Sequence, residues 1–199
     1  MGVLRLVAPA NAQGQGRPIC RFSIDGGWSN DAPAEYITRR ARRNDVSGVP
    51  QVVERIKGEL GIQVDFDIYI AEEEDNAMAA VANGRRILIV DVGFLERLNV
   101  IAGTGWGAIQ VIAHEVGHHI AGFSAASHRN ELNADYWSGQ TLQRLGAART
   151  AATRAIMAFG TEVDTPSHPN KYRRAATIER GWDDASRGVI DYAFCMDCR

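Results

Sequence analysis

The chain has 199 residues, 45% of them hydrophobic, and a formal net charge of −2. That is enough apolar material for the core of one domain, with a lobe at most. The near-neutral balance gives no basis for nucleic acid or an anionic membrane as a partner, and no run approaches the roughly 20 apolar residues of a membrane span.

Residues 1–18 read as a flexible Gly/Ala/Gln tail or a processed segment, and 19–199 as a single domain. Ala10-Asn11-Ala12 has the A-x-A form of a signal-peptidase site, although the apolar stretch before it is short for a leader. The expectation is an exported protein, periplasmic or secreted, with the cytoplasm as the alternative. The basic run "RRARRND" (39–45) and the acidic run "EEED" (72–75) read as solvated faces or turns. Cys195 and Cys198 form C-M-D-C and Cys20 stands apart. One C-x-x-C cannot supply four metal ligands, which leaves a disulfide in an oxidising compartment or three idle thiols.

The periodicity predicts helices at 33–43 and 49–60, the second with Val52, Val53, Ile56 and Leu60 on one side. "VDFDIYIA" (64–71) alternates apolar and polar residues as a half-buried strand does. "NAMAAVANGRRILIVD" then reads as a hairpin turning at Asn83-Gly84. Beyond it the chain is helical, at 92–98, 105–122, 130–145, 147–159 and 169–187, with stops at Gly122, Gly146 and Gly160. Pro166 and Pro169 bracket the loop before the last helix. A small antiparallel sheet followed by a helical bundle predicts an α+β fold.

The chemistry lies in "VIAHEVGHHI" (111–120). His114 and His118 are four apart, so a helix sets both imidazoles on one face, while His119 is rotated off it. H-E-x-x-H in that setting lets one zinc ion take both histidines with Glu115 beside its open position. A buried helix with satisfied core histidines accounts for Val111, Ile112, Val116 and Ile120 but not for the glutamate. A catalytic zinc needs a third protein ligand, and "RNELNADYW" (129–137) offers Glu131. Asp135, one turn further, is then placed to accept a hydrogen bond from a ligand histidine. An Asn130 N-cap would start that helix. His128, in the loop, is the competing third ligand.

H-E-x-x-H followed by E-x-x-x-D resembles the signature of the gluzincin metallopeptidases. "NAMA" (76–79) with the strand after it, the 111–120 helix and "SHPNKYRR" (167–174) are similar to stretches of the HtpX and CAAX prenyl protease branch. "ELNADYWSG" is also similar to a stretch of bacterial neutral zinc metallopeptidases. The likeness covers 64–182; the membrane helices of that branch have no counterpart here, and the first 60 residues match nothing in it.

The resemblance implies a zinc-dependent endopeptidase with one Zn2+ per chain and a peptide or protein as substrate. The metal ligands would be His114, His118 and Glu131, with Glu115 as general base. His168 and Arg174 would donate to the oxyanion, and Asn76, Ala77, Met78 and Ala79 would form a sheet edge on which an extended peptide pairs antiparallel. The rival class is a non-catalytic zinc-binding interaction or chaperone-like module.

Overall fold

A computed structural model describes residues 18–23, 38–40, 45–71, 74–82, 84–121, 127–191 and 194, with the backbone alone at 18–23, 38–40 and 82. The 1–17 tail with its A-x-A tripeptide, Asn83, Gly122, Cys195, Cys198 and the side chain of Cys20 lie outside that description.

Five strands form one sheet: β1 (Pro18–Ser23), β2 (Thr38–Arg40), β3 (Phe66–Ala71), β4 (Asn76–Ala82) and β5 (Arg85–Asp91), in the order β1-β4-β5-β3-β2. The sheet is mixed, not antiparallel as expected, because β3 pairs parallel with β5. The connection that this pairing requires is anchored at the strand ends. Ala71 lies opposite Asp91, whose carboxylate accepts the Glu74 and Asp75 amides at 3.0 and 2.9 Å. The chain leaving β3 is thereby carried over the end of β5, with Asp75 in a positive-φ turn (50°), and returns as β4 on the far side. The β4–β5 hairpin is as predicted, Ala82 facing Arg85 across a turn that includes Gly84 at φ 73°.

Two further expectations fail near the N-terminus. Part of the proposed 33–43 helix is strand β2, whose backbone pairs with β3 at Thr38↔Ala71 through Arg40↔Tyr69. The "NAMA" stretch is not an edge, because β1 covers Asn76 through Ala80.

Seven helices complete the described fold: α1 (Val49–Leu60), α2 (Val92–Ala102), α3 (Trp106–Ile120), α4 (His128–Arg144), α5 (Arg149–Ala152), α6 (Arg154–Phe159) and α7 (Lys171–Ser186). Local chemistry sets their limits. Asp91 caps α2 through the Phe94 amide (3.1 Å), and Gly103 at φ 63° ends it. Ser127, not Asn130, caps α4, accepting from the Asn130 amide at 3.3 Å. The expected 147–159 helix divides at Thr153. Asn170 caps α7 by accepting from the Tyr172 and Arg173 amides.

The α+β class holds. Helix α3 runs through the middle, with the sheet on one side and α4 on the other, and α7 packs on α4. Its residues Val111, Ile112 and Val116 share one core with Ile68, Leu88 and Val90 of the sheet and Phe94, Leu98 and Ile178 of other helices. The helices meet backbone to backbone at glycines. A Cβ on Gly139 would stand 2.0 Å from the Ile178 carbonyl, and one on Gly181 2.1 Å from that of Tyr136. Gly117 does the same between α3 and α4, where a Cβ would be 2.8 Å from the Ala134 carbonyl. Among the described residues, no helix is long and apolar enough to cross a membrane.

Candidate metal centre

The close α3–α4 approach at Gly117 brings the face of α3 that carries His114 and His118 against the first turn of α4, where Glu131 sits. All three side chains are buried. His114 Nε2 and His118 Nε2 lie 3.1 Å apart, and Glu131 Oε2 and Oε1 lie 3.4 and 3.7 Å from them respectively. A divalent ion with tetrahedral bonds of about 2.0–2.2 Å sets its ligands about 3.2–3.6 Å apart, so this triangle is close to one face of such a shell. The donor atoms all fall within 4.8 Å of one another, and they form the potential metal-holding group found among the described residues.

The polar inventory also fits. No oxygen of Glu131 or Glu115 makes a well-formed hydrogen bond among the described residues, although both carboxyls are fully buried; the nearest donor to Glu131 is His114 Nε2, at 3.4 Å. Buried acceptors are ordinarily satisfied, so two orphaned carboxyls beside two facing imidazoles call for a cation.

Around these donors is a braced outer layer. Asp135 Oδ1 is 2.9 Å from His114 Nδ1, leaving Nε2 of that imidazole for a metal. Arg174 holds Asp135 in turn, through Nε to Oδ2 at 2.8 Å and Nη2 to Oδ1 at 2.9 Å. This corrects the expectation for Arg174: its guanidinium is buried and engaged bidentately, with Nη2 also 3.9 Å from Glu131. It is a brace on the ligand shell and not a donor facing a substrate.

His168 does arrive at the site, its Nε2 lying 3.5 Å from Glu131 Oε2. Its loop is held by bonds that sequence reading did not anticipate. Ser167 Oγ is 2.8 Å from His168 Nδ1, and His128 Nε2 is 2.6 Å from the Thr165 carbonyl. His128 is therefore a prop for the loop and not the third ligand. A hydroxyl next to a histidine was the one available signal for Ser167; nothing in the sequence marked His128 as a prop. His119 is turned to the sheet, 3.1 Å from the Ile87 carbonyl and edge-on to Phe66.

The electrostatics follow from burial and these partners. Burial opposes charge on His114, but the Asp135 carboxylate bonded to it and the neighbouring Glu131 carboxylate outweigh it, and its pKa is pushed up to about 9. His118 is pushed down to about 3 by burial, with His114's charge adding and Glu131 opposing. Burial would raise the Glu131 carboxyl, yet the His118 and His114 charges hold it well below the usual range. Burial likewise works against Asp135, and Arg174's charge overcomes it. Glu115 is pushed up to about 8, chiefly by burial with Glu131 adding, against the pull of His114, the Ala79 amide and Arg174. His168 is lowered, by burial first.

Asn76, Ala77, Met78 and Ala79 all lie on β4, beside α3. Asn76 Oδ1 is buried with no hydrogen-bond partner among the described residues. No protein-family model, curated protein or solved structure matches the chain.

Proposed function

We propose that the chain is a zinc-dependent endopeptidase of gluzincin type, similar in its site to the HtpX and CAAX prenyl protease branch. The observation that carries the reading is a fully buried carboxyl, Glu115, with no well-formed hydrogen bond among the described residues, beside a three-donor set. A structural zinc site favours four protein ligands and needs no such group; a catalytic one keeps a position open.

His114, His118 and Glu131 would hold the ion, which supplies Lewis acidity that polarises a peptide carbonyl and makes a water acidic near neutral pH. Glu115 takes the water's proton as its oxygen attacks the carbonyl carbon, then delivers it to the leaving amine when the C–N bond breaks. Burial, with the Glu131 charge adding, favours the protonated form of Glu115, and a divalent cation nearby works in the opposite direction. His168 is the residue with the reach to donate to the tetrahedral oxyanion. Asp135 fixes the tautomer of His114, and Arg174 fixes Asp135.

The test joins elemental analysis to cleavage of a peptide library, with and without a chelator. About one zinc per chain and chelator-sensitive cleavage are expected. Glu115→Gln should keep its zinc and lose cleavage by about a hundredfold or more. Full zinc occupancy in a His114→Ala/His118→Ala chain would falsify the ligand assignment, and wild-type cleavage by Glu115→Gln would remove the base.

A further inference from the structure

β4 has two sides. One pairs with β5; the other is paired, residue by residue, with the chain's own β1: Ser23↔Asn76, Phe22↔Ala77, Arg21↔Met78, Cys20↔Ala79 and Pro18↔Ala80. Both β4 and β1 lie against α3, the helix that carries Glu115. β1 thus runs antiparallel along the strand that borders the candidate base. It takes the direction and the backbone partners that an extended peptide would take there.

We propose that β1 is a built-in occupant of the peptide-binding edge, a strand that must leave β4 before a substrate can pair with it. The proposal rests on the peptidase reading for its consequence, but not for the displacement itself. Three features make β1 the exchangeable strand of the sheet. Like β2 it stands at an end of the strand order, so among the described residues a single ladder, to β4, holds it. That ladder shifts register between Pro18 and Cys20, and Pro18 brings no amide hydrogen to it. No hairpin ties it to β4, since residues 24–75 lie between them. A segment on the same chain competes with free peptide at an effective concentration in about the millimolar range. Occupancy by β1 therefore weakens capture of dilute peptides while leaving the metal donors intact.

Along an edge strand, successive amides point alternately toward the neighbour and away. Of Arg21→Pro and Phe22→Pro, one deletes a ladder hydrogen bond to β4 and the other serves as its control. The probe is a fluorescent peptide of residues 17–25 with serine at the cysteine position, titrated into full-length, zinc-treated chains and followed by anisotropy. One proline variant should bind it at least tenfold more tightly than wild type, with Met78–Ala80 amides exchanging faster and zinc content unchanged. The other should behave as wild type. Equal binding by all three chains, despite faster exchange at Met78–Ala80, overturns the proposal. So does a ladder that neither proline opens, because β1 would then be a fixed member of the sheet. Tighter binding without cleavage of any peptide keeps the displacement and removes the peptidase reading. Cleavage by wild type with unchanged peptide binding does the reverse.

Discussion

Arg174 and Asp135 decide between two kinds of role at the residue scale. Both are buried, and their contact is bidentate. Removing the guanidinium leaves a buried carboxylate with an imidazole as its remaining charge partner, a loss of about 3 kcal/mol or more. Arg174→Ala should therefore lower the melting temperature and weaken zinc binding together. An oxyanion donor would instead lower kcat alone, and that pattern would overturn the brace. Asp135→Ala should cost about ten- to a hundredfold in zinc affinity, measured against a chromophoric chelator. His168→Ala should reduce kcat about ten- to a thousandfold with KM and zinc content nearly unchanged, since its loop is held by Thr165, Ser167 and His128 and not by the metal donors.

Protons give another residue-scale prediction. With His114 pushed up to about 9 and His118 down to about 3, the metal-free imidazole pair carries one proton beyond its neutral form at neutral pH. Zinc needs both ring nitrogens as lone-pair donors, so uptake must expel that proton. The folded, metal-free state gains the proton as pH falls through about 9, and zinc affinity should fall with it, about tenfold per unit. Calorimetry at pH 6, below the titration of a zinc-bound water, in buffers of different ionisation enthalpy and on Glu115→Gln to remove that carboxyl's contribution, should detect release of about one proton. No dependence on buffer would contradict this protonation state.

The element scale is governed by how closely helices approach. Gly139 and Gly181 meet the facing backbone carbonyls of α7 and α4, which cannot rotate away as a side chain can. Gly139→Ala should cost about 3 kcal/mol and lower the melting temperature by about 6–10 °C. Because α7 carries Arg174 and α4 carries Asp135, zinc affinity should fall with it. Gly58, in the last turn of α1 with open space around its Cβ position, is the contrast: Gly58→Ala should stabilise by about 0.5 kcal/mol. The sequence made α1, the β4–β5 hairpin, α3 and the i,i+4 pairs of the site legible, because each depends on contacts within a few residues. It did not make legible that Asp135 would meet Arg174, since 39 residues separate them. Nor did Thr38–Arg40 read as a strand, for its pairing depends on β3 and not on its own pattern.

At the scale of the whole molecule, the α+β class followed from the order of strands and helices, but the sheet's internal arrangement did not. A short link between two strands ordinarily reads as antiparallel neighbours, and here β5 lies between β3 and β4. One carboxylate, Asp91, anchors this crossing by accepting from the Glu74, Asp75 and Phe94 amides. Asp91→Ala should leave three amide donors short of an acceptor and cost about 2–4 kcal/mol by chemical denaturation. A change within about 0.5 kcal/mol would mean the crossing is held by strand pairing alone.

The position of β5 also sets an order of events on the ribosome. β3 and β4 are synthesised first and leave a gap between them that β5 alone fills, so neither can acquire that neighbour until Asp91 has emerged. Through that interval the apolar strand β4 has one ready partner, the already synthesised β1. Nascent chains arrested after residue 82 should thus depend on residues 18–23 to stay free of aggregation, whereas chains arrested well beyond residue 91 should not. The strand proposed to guard the finished site would have served the unfinished sheet first, as a chaperone carried in the same polypeptide.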